Sequence, residues 1–104
     1  MPSRAEREKH RMTALCLGET LRRARLRKGL SQEQIAHQAA ITVRAYGCIE
    51  RGVAPSGQAA NPTIRTLLLV LDTLEIRVHL TLSSSTDDET GQLSTTVRPV
   101  AWPA

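Results

Sequence analysis

Apolar residues recur at helical spacing in the stretch 16–28. Leu17, Leu21 and Ala24 fall at positions i, i+4 and i+7, which places them on one side of a helix. Basic residues crowd the end of this stretch and Gly29 follows it, which suits both the helix dipole and a glycine C-cap. The pattern predicts a helix over 16–28 with one buried stripe.

Two helix starts then follow one another about a helix apart. Ser31, with Gln34 three residues later, has the capping-box spacing, and Thr42 is the next N-cap candidate. The inward positions of the two predicted helices are Ile35, Ala36, Ala39, Tyr46 and Ile49, with Ala45 as a further candidate, and Gly52 ends the second helix. Two short helices joined by a tight turn cross steeply, so the second projects from the surface, where it fits the major groove of DNA.

The second half of the chain contains one more predicted helix. Residues 53–60 form a loop by composition, and Asn61 followed by Pro62 predicts a helix start. The helix itself is apolar almost all round, at Ile64, Leu67, Leu68, Leu69, Val70, Leu71 and Leu74. Because such a helix must be covered on all sides, it predicts a dimer contact.

A period of two replaces the helical period at residues 76–83. Ile76, Val78, Leu80 and Leu82 alternate with polar residues, which predicts a half-buried strand. A single strand cannot satisfy its own backbone, so it needs a partner. We favour the same strand of a second copy, which would make 76–83 a dimerisation strand. The alternative is the segment 93–97 of the same chain, which would form a hairpin.

The two ends of the chain are polar. Ser3 and Glu6 have capping-box spacing, but the following residues lack an apolar face, so 1–12 is interpreted as a frayed arm or one that orders on a partner. A folded domain over 13–75 and the strand precede a polar, acidic segment that predicts a disordered tail over 84–104. The tail contains Trp102, for which three interpretations are open. The residue is inert and exposed, it covers its own domain, or it anchors a partner.

Charge and composition exclude several classes of function. Residues 1–52 carry a net charge of +6 and residues 53–104 a net charge of −2, so a polyanion partner is expected for the first half only. Two cysteines and three widely separated histidines lack zinc-ligand spacing, and we expect neither a metal nor a cofactor. No apolar run reaches membrane-spanning length, which favours a cytoplasmic protein. Without a nucleophile–base set, a carboxylate pair or a phosphate loop, we do not expect an enzyme.

The motifs "GLSQEQIA", "ITVRAY", "IERG" and "NPTIRTLL" resemble the Cro/CI-like (xenobiotic response element type) helix-turn-helix domains between about Leu17 and Ile76. The resemblance implies a mainly α, five-helix lambda-repressor-like domain, here followed by the strand and the tail. It also implies roles for matching positions. Gln32 and Thr42 would reach phosphates, Val43 and Arg44 would read bases, and Arg51 would contact phosphate or solvent; Gly47 and Cys48 would face the groove, and Arg25 would pair with Glu50.

Two positions depart from the family pattern. Ala40 stands where the turn usually has glycine, and a left-handed conformation there would cost about 1 kcal/mol. Gly47 lies inside the recognition helix and removes a side chain where a base reader is common. Specificity would then rest on Val43, Arg44 and Cys48, or on the shape of the DNA.

Within the family, "LDTLEIRVHLTL" is most similar to the HipB-type antitoxins. This resemblance implies a homodimeric autorepressor of a toxin–antitoxin operon, whose tail docks on a HipA-like Ser/Thr kinase toxin or a companion of it. One alternative is a free-standing regulator, such as a phage-type repressor or a restriction–modification controller. Another is an interaction protein whose DNA-binding surface is degenerate, as Gly47 would permit.

Overall fold

A computed structural model describes residues 2–83 and 94–97, with side chains described over 2–79. This part of the chain is mainly α, with four helices followed by two short strands. The elements are α1 (Arg4–Lys28), α2 (Gln32–Ala39), α3 (Val43–Arg51), α4 (Ile64–Thr73), β1 (Leu80–Ser83) and β2 (Ser94–Val97). The resemblance implied a five-helix domain, whereas these residues contain four helices.

The first helix is longer than the sequence pattern predicted. It begins at Arg4 and continues through the expected boundary between residues 12 and 13 to Lys28. The capping box is confirmed: Ser3 Oγ accepts from the amide of Glu6, whose carboxylate accepts from the amide of Ser3. The extension of α1 has two causes. The capping box starts the helix at Arg4, and the residues that follow are good helix formers, which continue an existing helix without an apolar face.

The caps around α2 and α3 are as predicted. Ser31 and Gln34 form the reciprocal capping box, and Thr42 Oγ1 accepts from the amide of Ala45 at 3.0 Å. Between the two helices, Ala40 has a φ of +61°, the left-handed conformation that the missing glycine suggested. Its amide closes the last turn of α2 by donating to the carbonyl of His37 at 3.1 Å. The sharp turn is therefore held by backbone hydrogen bonds in spite of the alanine.

Replacing Ala40 with glycine should raise the free energy of unfolding by about 0.5–1 kcal/mol, because the relief of the left-handed strain exceeds the entropy that glycine adds to the unfolded chain. Urea unfolding followed by circular dichroism measures the difference. The matched control is Ala39→Gly, at a buried, regular helical position one residue earlier, which should be destabilising. An Ala40→Gly protein less stable than the wild type would contradict the assignment of strain to this residue.

The core is aliphatic apart from one tyrosine. It draws on all four helices and comprises Leu21, Ala24, Ile35, Ala36, Ala39, Tyr46, Ile49, Val70, Leu71 and Leu74. Helix α4 begins at Ile64 rather than near Pro62, because Thr63 is the N-cap and accepts from the amide of Thr66. Its outer side remains uncovered in the single chain, with Ile64 77% and Leu69 38% exposed. The dimer contact expected on this helix stays a prediction.

The predicted strand at 76–83 is shorter than expected. Only Leu80–Ser83 forms β1, which pairs antiparallel with β2 of the same chain, with Leu80 opposite Val97. The structure thus has the hairpin that was the alternative to cross-dimer pairing, and β2 lies within the segment 84–104 for which a disordered tail was predicted. Trp102 lies outside the described residues, and so does the rest of the predicted tail.

Ile76 and Val78 precede β1 and pack half-buried against the core. The reason is the end of α4, where Glu75 has a φ of +60° and its amide donates to Asp72. The amide of Ile76 donates to the carbonyl of Leu71 at 2.8 Å. These two bonds form a Schellman motif, whose usual hydrophobic contact directs Ile76 back onto the helix.

Candidate nucleic-acid interface

A buried carboxylate joins α1, α2 and α3. Glu50 accepts from Arg25 in a two-pronged ion pair, Nε to Oε2 at 2.8 Å and Nη2 to Oε1 at 2.9 Å. The hydroxyl of Tyr46 donates to Oε2 at 2.7 Å, and Nε2 of Gln32 donates to Oε1 at 2.8 Å. Arg25 also donates to the carbonyl of Leu30, just before α2. The orientation of α3 relative to the other two helices is therefore fixed by one hydrogen-bonded cluster.

The cluster shifts the ionisation of its members. Burial raises the pKa of Glu50, but the hydrogen bonds from Arg25, Tyr46 and Gln32 outweigh burial, so the pKa lies below its usual value. The pKa of Tyr46 is raised, first by burial and then by its hydrogen bond to Glu50. At neutral pH the cluster therefore contains an ionised carboxylate and a neutral phenol that donates to it.

The lowered pKa of Glu50 makes its contribution to stability depend on pH. A carboxylate with a depressed folded-state pKa stabilises the fold above its unfolded pKa of about 4.3, and this contribution is lost as the pH falls through the folded-state value. The difference in unfolding free energy between wild type and Glu50→Gln should be largest near neutral pH and shrink below about pH 4. Urea unfolding over this range measures it, and a difference independent of pH would contradict the predicted shift.

Gln32 has a different contact from the one expected. The resemblance placed it at a phosphate, whereas the structure turns its amide onto Glu50, and the residue is half-buried. The spacing of Tyr46 and Glu50, one helical turn apart, could have indicated their contact. No spacing in the sequence links Gln32 to Glu50, because the two residues are 18 positions apart and lie on different helices.

The first turn of α3 is open to solvent. Thr42, Val43 and Arg44 are exposed, and Val43 is 40% exposed in spite of its apolar side chain. Thr42 uses an acceptor lone pair for its cap, so its hydroxyl proton can still be donated to a phosphate oxygen. These three residues form one surface, which we name the reading surface: Thr42, Val43 and Arg44 at the start of α3. It combines an anion-binding helix start, an apolar contact and a guanidinium.

The second turn of α3 is less open than expected. Gly47 is buried, beneath the side chains of Arg51 and Gln32. Cys48 is half-buried, and its sulfur accepts from Nη2 of Arg51 at 3.6 Å. Arg51, which the resemblance placed at phosphate or solvent, is exposed.

A helix-turn-helix family model matches residues 21–79, which is more than half of the chain and contains α2, α3 and α4. The chain belongs to the Cro/CI-type helix-turn-helix family. No curated protein and no solved structure matches it. Membership makes this chain a DNA-binding protein of transcription regulation, with α2 and α3 as the two helices of the motif.

Two further observations on the described part of the chain concern membrane-spanning helices and groups of metal ligands. Within residues 2–83 and 94–97, no helix is both long and apolar enough to cross a membrane. In the same residues, no three His, Cys, Asp or Glu side chains lie together as metal ligands would.

Proposed function

We propose that the protein is a dimeric, sequence-specific repressor that binds an operator in its own promoter. The reading surface supports this proposal most strongly, because Thr42, Val43 and Arg44 are exposed together at the start of α3. The helix that carries them is held by the buried cluster around Glu50. Positive charge is concentrated in the half of the chain that contains α3, which favours DNA over other partners. Such a protein would act in the cytoplasm, on the bacterial nucleoid.

A dimer is supported by two observations. The outer side of α4 is apolar and exposed at Ile64 and Leu69. In the described residues β1 pairs with β2 alone, so the other edge of β1 is available to a strand from a second copy. Two copies would place their recognition helices about 34 Å apart, one turn of DNA, and would read an inverted repeat.

Replacing Arg44 with alanine should weaken binding to the operator about 5- to 150-fold, because a two-pronged contact to guanine contributes about 1–3 kcal/mol. Fluorescence anisotropy with an operator selected from random duplexes measures this loss. Arg23→Ala is the matched control, since it removes the same charge from an exposed position on α1. Equal affinity of the Arg44→Ala protein and the wild type would support a degenerate DNA surface instead.

We also propose that this repressor is the HipB-like antitoxin of an operon whose toxin is a HipA-like Ser/Thr kinase. The similarity of residues 71–82 to those antitoxins supports the proposal, and Trp102 is the proposed anchor. Capture from the native host with the full chain should recover a kinase, identified by mass. The Trp102→Ala chain should recover much less. Equal recovery by both chains would indicate that the kinase contacts the folded domain and not Trp102.

A free-standing regulator without a toxin partner is the second candidate. The hairpin favours it, because β2 pairs with β1 up to Val97 and leaves only four residues between Val97 and Trp102. Under this proposal neither chain would recover a kinase, and the Trp102→Ala protein would bind the operator as tightly as the wild type.

A further inference from the structure

Gly47 lies inside α3 and has no side chain. The space beside its Cα is filled by the side chain of Arg51. An ideal Cβ at this position would lie 3.1 Å from Nη1 of Arg51 and 3.7 Å from Oε1 of Gln32. Arg51 is four residues later, so its guanidinium is folded back by one helical turn and lies against the backbone of Gly47. Its second amino group donates to the sulfur of Cys48. The guanidinium therefore occupies the middle of α3 and not its C-terminal end.

The position of this guanidinium relates it to the reading surface. Val43, Gly47 and Arg51 are spaced by four residues and lie in one row along α3, because residues i and i+4 share a face. Helical side chains point towards the N-terminus, so the surface that Arg51 covers is one turn nearer to Val43 than its own Cα. The start of a recognition helix is the part that contacts base edges. Arg51 is thus placed next to the base-reading residues.

We propose that Arg51 reads a base through the gap left by Gly47, donating from its guanidinium to the paired acceptors N7 and O6 of a guanine. This inference rests on the proposed DNA-binding function and deepens it. The guanidinium has five N–H donors, and its weak bond to the Cys48 sulfur leaves donors for a base. Arg51 is exposed, so its outer side is accessible to DNA.

The proposal also gives a reason for a glycine in this helix. A helix with glycine at an interior position is less stable than the same helix with alanine there, so the glycine needs a compensating role. A methyl group at residue 47 would lie 3.1 Å from Nη1, closer than an ordinary contact, and the guanidinium would have to move. Because the end of an arginine side chain is flexible, the fold would survive the substitution, but the position of the guanidinium would not.

The test is selection from a pool of random duplexes, carried out with the full chain and with Arg51→Ala, Arg51→Lys and Gly47→Ala. The wild type should enrich a guanine at one position of each half-site that Arg51→Ala no longer selects. Arg51→Ala should bind the wild-type operator about 5- to 150-fold more weakly. Arg51→Lys should weaken the preference without abolishing it, since lysine keeps the charge and can donate to guanine but lacks the planar fork. Gly47→Ala should alter the preference at the same position.

Arg23→Ala is the control for loss of charge and should leave every position of the selected site unchanged. The proposal is overturned if Arg51→Ala weakens binding to all sequences alike and lowers the salt dependence by about one phosphate contact. A guanine preference and an operator affinity that Arg51→Ala leaves unchanged would overturn it as well. In both cases the selected operator itself would still support the proposed function. A wild-type chain that selects no sequence would overturn both proposals together.

Discussion

Replacing Glu50 with alanine should lower the free energy of unfolding by about 3–5 kcal/mol, because it leaves Arg25 without its ionic partner in a half-buried site. The carboxylate accepts four hydrogen bonds from three residues, and its side chain is only 4% exposed. Its removal also leaves the buried hydroxyl of Tyr46 without its acceptor, and such a group costs about 1–3 kcal/mol. Urea unfolding of both proteins near neutral pH measures the loss.

The matched control is Glu19→Ala. Glu19 also pairs with an arginine, Arg23, but the pair lies on the exposed side of α1 and is separated by four residues in the same helix. Its loss should change stability by about 0.5 kcal/mol or less. Similar losses in the two variants would show that the Glu50 cluster does not hold the three helices together.

Replacing Gly18 with alanine should destabilise the fold by about 2–3 kcal/mol, although alanine is the better helix former. A Cβ at residue 18 would lie 2.3 Å from the carbonyl oxygen of Glu50 and 2.8 Å from that of Ile49. Both atoms belong to the backbone of α3, which cannot move without separating α1 from the recognition helix. Thermal and urea unfolding measure the effect, and we expect the midpoint of both transitions to fall.

Gly47→Ala provides the comparison, since it gains the same helix propensity. Its nearest neighbour is the flexible end of Arg51 rather than backbone. This variant should be as stable as the wild type or up to about 1 kcal/mol more stable. If Gly18→Ala were stabilised by the same amount as Gly47→Ala, the close approach of α1 and α3 would be contradicted.

The sequence predicts most accurately those features that depend on neighbours in the chain. The caps at Ser31 and Thr42 and the left-handed turn at Ala40 depend on side chains and backbone within four residues, and the structure has all three. The resemblance suggested the contact between Arg25 and Glu50, which are far apart in sequence. In contrast, the close approach at Gly18 has no signature in the sequence, because it depends on where α3 packs.

The segment 76–83 shows why a correct pattern can predict the wrong pairing. Ile76 and Val78 are half-buried while Arg77 and His79 are exposed, so the alternation of burial is present. The alternation of apolar and polar residues indicates an extended backbone with one side against a core. It does not indicate which strand will be the hydrogen-bond partner. The end of α4 fixes Ile76 against its own helix, and only the residues beyond it are free to pair with β2.

The central claim is that the start of α3 reads an operator as part of a dimer. Selection of random double-stranded DNA by the full wild-type chain, followed by sequencing, tests it most directly. We predict an enriched inverted repeat with half-site centres one helical turn apart, about 10 base pairs, and affinity that falls steeply with salt. Recovery of DNA without any enriched sequence, from a protein shown to be folded, would contradict the claim.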